Sequence, residues 1–216
     1  MTAATRTARS WNGWPLVGLA TLALLAMIAI LAAVHGTNEA GLRVVIRATA
    51  RTSFALFITA FVASSLRRAW RSDATAWLLR NRRQIGVSFA VSHLLHLLAI
   101  FALYDWSLGR FFGEIGAPAI VVGGIGYLFV AALAATSFDT TAAWLGQRRW
   151  KRLHTAGMYW LWGVFTISYV PRALMESAAY APLALASLAA LALRIRYRRR
   201  RAPLVDESRP ADYAPA

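Results

Sequence analysis

Charged residues in this chain fall into short clusters, and between the clusters run stretches that carry no charge at all. A helix needs about 20 apolar residues to cross roughly 30 Å of hydrocarbon. Residues 15–34 meet that length without help, and residues 84–104, 115–138, 153–171 and 177–193 form four more uncharged runs of spanning size. Residues 52–66 are shorter, but the helix can extend backwards because Arg43, Arg47 and Arg51 are able to snorkel to the interface. The pattern predicts an all-α, polytopic membrane bundle of six transmembrane helices over residues 15–193. A short segment, 1–14, precedes it, and a basic then disordered tail, 194–216, follows. The first run sits behind Arg6 and Arg9 as a secretory signal would. Its apolar part is longer than the roughly 7–15 residues of a signal core, so an uncleaved first span is expected.

Orientation follows from where Lys and Arg collect in the short loops. Of the 24 cations, 19 fall on one side: Arg6, Arg9, the cluster 67–83, the cluster 148–152 and the tail from Arg194. Only Arg43, Arg47, Arg51, Arg110 and Arg172 fall on the other. Both termini are therefore expected in the cytoplasm, in a bacterial inner membrane, with spans three and five running parallel. Composition agrees: 58% of the 216 residues are apolar and 15% charged, against roughly half and a quarter in soluble domains. The net charge of +15 would suit nucleic acid, but the arginines bracket apolar runs instead of mixing with aromatics on a polar surface. Anionic lipid is the expected partner of the basic tail, and nucleic acid is excluded. Trp11, Trp14, Trp70, Trp77, Trp144 and Trp150 at one interface and Trp106 at the other read as an aromatic belt. Gly116, Gly123, Gly124 and Gly126 read as close helix packing in span four. Cysteine is absent, which removes disulfides, iron–sulfur clusters and thiolate zinc sites.

Ionisable groups at membrane depth are costly, and so are functional candidates. Here they are His93 and His96 on span three and His154 near the start of span five, while His35 lies at the mouth of span one. No carboxylate sits deep in a span, which argues against a carrier built on a buried Asp or Glu. Imidazole suits iron ligation, and two on facing helices can clamp a b-type haem; it equally suits interhelical hydrogen bonding. His93 and His96 share one face, about a turn apart. His96 lies roughly 20 Å into its span and His154 about 3 Å into its own, so the two differ by on the order of 15 Å in depth on parallel helices. Arg43, Arg47 and Arg51, spaced i, i+4, i+8, also share a face. They read as a snorkelling stripe or, for Arg51, as a partner for an anionic group such as a haem propionate. Arg82 and Arg83 can do the same on the inner side.

Three stretches together resemble one family. Residues 49–56 (Thr-Ala-Arg-Thr-Ser-Phe-Ala-Leu) with Ser65-Leu-Arg-Arg are similar to the second span of the ferric reductase-like transmembrane family. Residues 78–86 (Leu-Leu-Arg-Asn-Arg-Arg-Gln-Ile-Gly), with His96 ten residues on, resemble its third span, and Trp150-Lys-Arg-Leu-His154 resembles the start of its fifth. The resemblance implies b-type haem between the third and fifth helices, one such haem expected and two at most, and electron transfer across the membrane. By it His96 is the outer ligand and His154 the inner one, with His93 close behind. The family's second histidine on the fifth helix corresponds here to Ile167. The larger members carry a cytoplasmic flavin and nicotinamide module, whereas the residues after Arg194 are too few for a dinucleotide-binding fold. Electrons would come from quinol or a separate cytoplasmic flavoprotein and leave to an acceptor outside, such as a periplasmic redox partner. The chain thus reads as an oxidoreductase subunit without its own flavin or NAD domain. The alternatives are a haem-free membrane protein for assembly or transport, with structural histidines, and a quinone-handling enzyme.

Overall fold

A computed structural model of the chain describes residues 12–198. Arg6, Arg9, Trp11 and the tail from residue 199 lie outside the described residues.

Helices α1 (Trp14–His35) and α2 (Glu39–Ala69) form a tight hairpin. Gly36 ends α1 at φ +78°, a conformation that glycine adopts without a Cβ penalty. Asn38 caps α2, its side chain accepting from the Gly41 amide at 3.0 Å. Gly41 passes so close to Gly36 that a Cβ there would collide with the Gly36 carbonyl. The second helix is longer than the uncharged run within it, because the turns bearing Arg43, Arg47 and Arg51 are helical too. A short interfacial helix, α3 (Asp73–Arg80), starts on a Ser72/Thr75 capping box. Asn81 leads into α4 (Arg82–Leu103) and pins it to the start of α1 by accepting from the Gly13 amide at 3.0 Å and donating to Asn12 Oδ1 at 2.9 Å.

After α5 (Leu108–Glu114) come α6 (Ala117–Ala135), α7 (Asp139–Leu145), α8 (Gln147–Met175), a 3-10 turn (Ala178–Tyr180) and α9 (Ala181–Arg198). The fold is all-helical among the described residues. Among the described residues five helices are long and apolar enough to cross a membrane: α1, α2, α4, α6 and the turn continuing into α9. The sixth expected span lies within α8, which has the length at 29 residues but whose Trp, Tyr, Thr and Gly residues dilute its apolar character.

Packing centres on α2 and α4, which run along each other, while α6 runs along α8. Phe54, Phe57, Phe61, Phe89, Leu161, Phe165 and Tyr169 form the aromatic core. Serines let the α2 and α4 backbones approach: the Ser53 and Ser92 hydroxyls lie 2.9 Å apart, and both residues are wholly buried. Among the span-four glycines only Gly126 faces α8, where an added Cβ would meet Leu161 and Trp160 at 3.8 and 3.9 Å. Gly123 and Gly124 look into open space, and Gly116 caps α6. The tightest α6–α8 approach is instead at Gly157, where an added Cβ would meet Phe129 Cδ1 at 2.9 Å.

The two ends of the bundle differ. One gathers the basic clusters together with both ends of the described chain. There Trp14 stacks on Phe138 at 5.2 Å, Arg68 donates to the Tyr197 carbonyl at 3.2 Å, and Arg83 pairs with Asp139 at 2.7 Å. The opposite end holds exposed ion pairs: Arg43 with Glu39, Arg172 with Glu176, and Arg110 with both Asp105 and Glu114. The hydrogen bond that Arg110 donates to Glu114, helped by Asp105, pushes the guanidinium further up from its ordinary range.

Candidate functional site

A cavity of about 850 Å³ opens at the basic end, lined by α2, α4, α6 and α8, by the ends of α3 and α7, and by Arg194 of α9. That volume lies within the roughly 300–1,000 Å³ of cofactor-sized sites. Its lining carries six cations, Arg68, Arg80, Arg82, Arg83, Lys151 and Arg194, and one carboxylate, Asp139, already paired with Arg83. Two of the arginines are fixed in place. Arg82 donates through Nε to the Ala60 carbonyl at 2.9 Å, and Arg194 donates to the neighbouring Phe61 carbonyl at 2.7 Å. Arg194 also lies over the rings of Phe61 and Tyr159, at 4.1 and 5.1 Å. Holding two guanidiniums on adjacent carbonyls of one helix sets like charges side by side, a cost that a bound dianion would offset.

His154 supplies the cavity's imidazole. Its Nε2 lies 3.0 Å from Thr136 Oγ1, and the Thr136 hydroxyl donates to the Ala132 carbonyl at 2.6 Å. With that proton committed, the ring donates through Nε2. This fixes the tautomer and leaves the other ring nitrogen unprotonated, the form in which imidazole binds iron. Trp150 completes the support, stacked on His154 at 4.1 Å and donating Nε1–H to the Thr136 carbonyl at 2.8 Å. That carbonyl belongs to the cap of α6, where a helix end leaves acceptors free. Trp150 is therefore a wall of the site and not merely part of an interfacial belt.

His93 and His96 stand elsewhere. They stack on each other at 5.5 Å, and neither lines the cavity. His96 Nδ1 lies 3.1 Å from the buried Thr49 hydroxyl of α2. His93 packs among Tyr127 at 4.7 Å, Phe89 at 5.3 Å and Phe165 at 5.9 Å, and its buried Nδ1 has no hydrogen-bond partner. Phe165 of α8 meets Phe89 and His93 of α4 here, closing the bundle outward of the cavity. Ile167 is 59% exposed and faces away from this cluster. Arg82 and Arg83 belong to the cavity, but Arg51 lies at the opposite end on an exposed face, its guanidinium 5.8 Å from the Tyr180 ring. Among the described residues no group of three or more His, Asp or Glu is placed to hold a metal ion alone.

Sequence reasoning passed over Arg194, Thr136 and Trp150 as site residues. Arg194 reads as a membrane-end marker, and nothing along the chain ties it to Arg82. Trp150 and His154 do carry a signal, their i, i+4 spacing on one helix face.

The residues present fit a b-type haem in cavity size, in surplus positive charge facing two propionates, and in one oriented imidazole. No family model matches the chain, and no solved structure matches it. Over 82 residues, 37% of its length, the chain is 37% identical to the protein-methionine-sulfoxide reductase heme-binding subunit MsrQ of Azospira oryzae. Over 82 residues it is 35% identical to the magnetosome protein MamZ of Paramagnetospirillum magneticum. These matches span 35% of the first relative and 13% of the second. The chain is thus similar, over 37% of its length, to a subunit named as heme-binding, and its own long apolar helices mark it as a protein of the membrane.

Proposed function

We propose that this chain is a membrane-embedded b-type haem protein of the ferric reductase-like kind, spanning the membrane six times with both termini cytoplasmic and moving electrons across it. The carrying observation is the cavity that combines one oriented imidazole, His154, with the fixed guanidiniums of Arg82 and Arg194. The haem would supply one-electron Fe(III)/Fe(II) cycling. The chain's part is to hold it: His154 as iron ligand, Thr136 and Trp150 orienting that ring, and Arg82, Arg83 and Arg194 facing the propionates. A cavity open at the basic end suits donation by quinol or a separate cytoplasmic flavoprotein. The aromatic column from Phe89 through His93 to His96 leads towards the opposite face, where an outer acceptor would be served. The likeness to a subunit named as haem-binding supports this reading.

The test is the optical spectrum of the detergent-purified full chain, oxidised and dithionite-reduced, with haem per chain from the pyridine haemochrome. A reduced b-type spectrum near one haem per chain is expected. A colourless, well-folded protein expressed with ample haem would instead favour a scaffold whose histidines serve as interhelical hydrogen-bond partners. The Thr49–His96 and Thr136–His154 pairs are the observation behind that second reading.

A further inference from the structure

We infer that the cavity would hold a haem through a single protein ligand, His154, so that its iron would stay accessible to exogenous ligands. This rests on the haem reading above and concerns how the iron is held. Apart from the Asp139 carboxylate of α7, which is exposed and already paired with Arg83, the lining side chains best able to donate to iron lie on one helix: His154, Met158 and Tyr159, with Lys151 one turn before, all belong to α8. Met158 stands four residues after His154 and so on its side of the cavity, not across from it. The α4 wall offers Gly86, Phe89 and Ala90, none of which can ligate iron. The arginines are permanently protonated and have no lone pair to give.

The nearest imidazole on α4 is His93, one turn beyond Phe89. To reach the cavity it would have to pass Phe89, which is buried, and Phe165, which packs against both. His96 lies further out and is held by Thr49. At Gly86, by contrast, an added Cβ meets nothing within 4 Å, so the α4 wall leaves open space there. A clamp of two histidines is therefore absent from this cavity by placement, and Ile167, facing away from the core, does not restore one.

The experiment uses the full chain in detergent, loaded with ferric haemin. Expected are an axial high-spin ferric EPR signal, a rapid Soret shift when carbon monoxide meets the reduced protein, and conversion to low spin on adding imidazole. His154→Gln should lower haem retention at least about tenfold while helix content by circular dichroism holds. His93→Ala and His96→Ala should leave the spin state and haem stoichiometry as they are. A low-spin spectrum in the unaltered chain that becomes high-spin in His93→Ala or His96→Ala overturns the inference while leaving haem binding intact. A folded chain that retains no haem at all removes the haem reading and the inference together.

Discussion

Thr136 shows how one hydroxyl can govern a site. By giving its proton to Ala132 it becomes an acceptor only, and His154 must donate to it. Thr136→Val keeps the shape and removes the acceptor, so haem affinity should drop by about 10–100-fold, the usual consequence of losing the partner that orients a ligand imidazole. Titration of the variant with haemin, followed at the Soret band, reads this directly. Thr49 plays the matching role for His96, and neither residue lines the cavity that holds His154. Thr49→Val should cost about 0.6–2 kcal/mol of stability, the range for interhelical hydrogen bonds in membranes, and leave haem retention unchanged. A thermal shift in detergent together with the haem-to-protein ratio separates the two effects. The histidines were legible from their rarity at depth; which of them face a cavity was not.

Helix α8 is held against α6 by the absence of a side chain. At Gly157 a Cβ would come within 2.9 Å of Phe129 Cδ1 and 3.0 Å of Leu133 Cδ1. Gly157→Val should therefore destabilise the bundle by about 1–3 kcal/mol through overpacking and spread the wall that carries His154. The check is lowered thermal stability together with weakened haem retention. Gly163→Ala on the same helix, where nothing lies within 4 Å, should be silent. Glycine content marked α6 in the sequence as a packing helix. Yet the partners of Gly123 and Gly124 proved to be open space, because glycine frequency says nothing about which way a helix is turned.

For the molecule as a whole, the basic end joins positive charge to the cavity, and the charge belongs to the site as much as to the orientation. On the proposed haem reading, replacing Arg82 and Arg194 together by Gln should reduce haem retention more than either change alone and flatten its dependence on salt, since the two guanidiniums would share one anion. Topology is testable with unusual ease because the chain has no cysteine. Trp144→Cys and Met175→Cys lie at opposite ends of the α8 region, each residue 85% exposed. They should react with an impermeant maleimide from opposite sides of the membrane. Labelling of both from one side would show that α8 does not cross.

Along the chain, hydropathy and charge placement determined a helical membrane protein with its cations gathered at one side, because the cost of burying charge in hydrocarbon acts on each segment locally. The same local rule singled out His93, His96 and His154, and depth counting already set His154 apart from the other two. It could not say that Phe165 closes the space outward of the cavity, that Arg194 comes to stand beside Arg82, or that Trp150 and Thr136 hold the imidazole. Those facts depend on four helices packed at particular rotations, and rotation is set by which side chains interlock between helices. Only the tertiary structure supplies that.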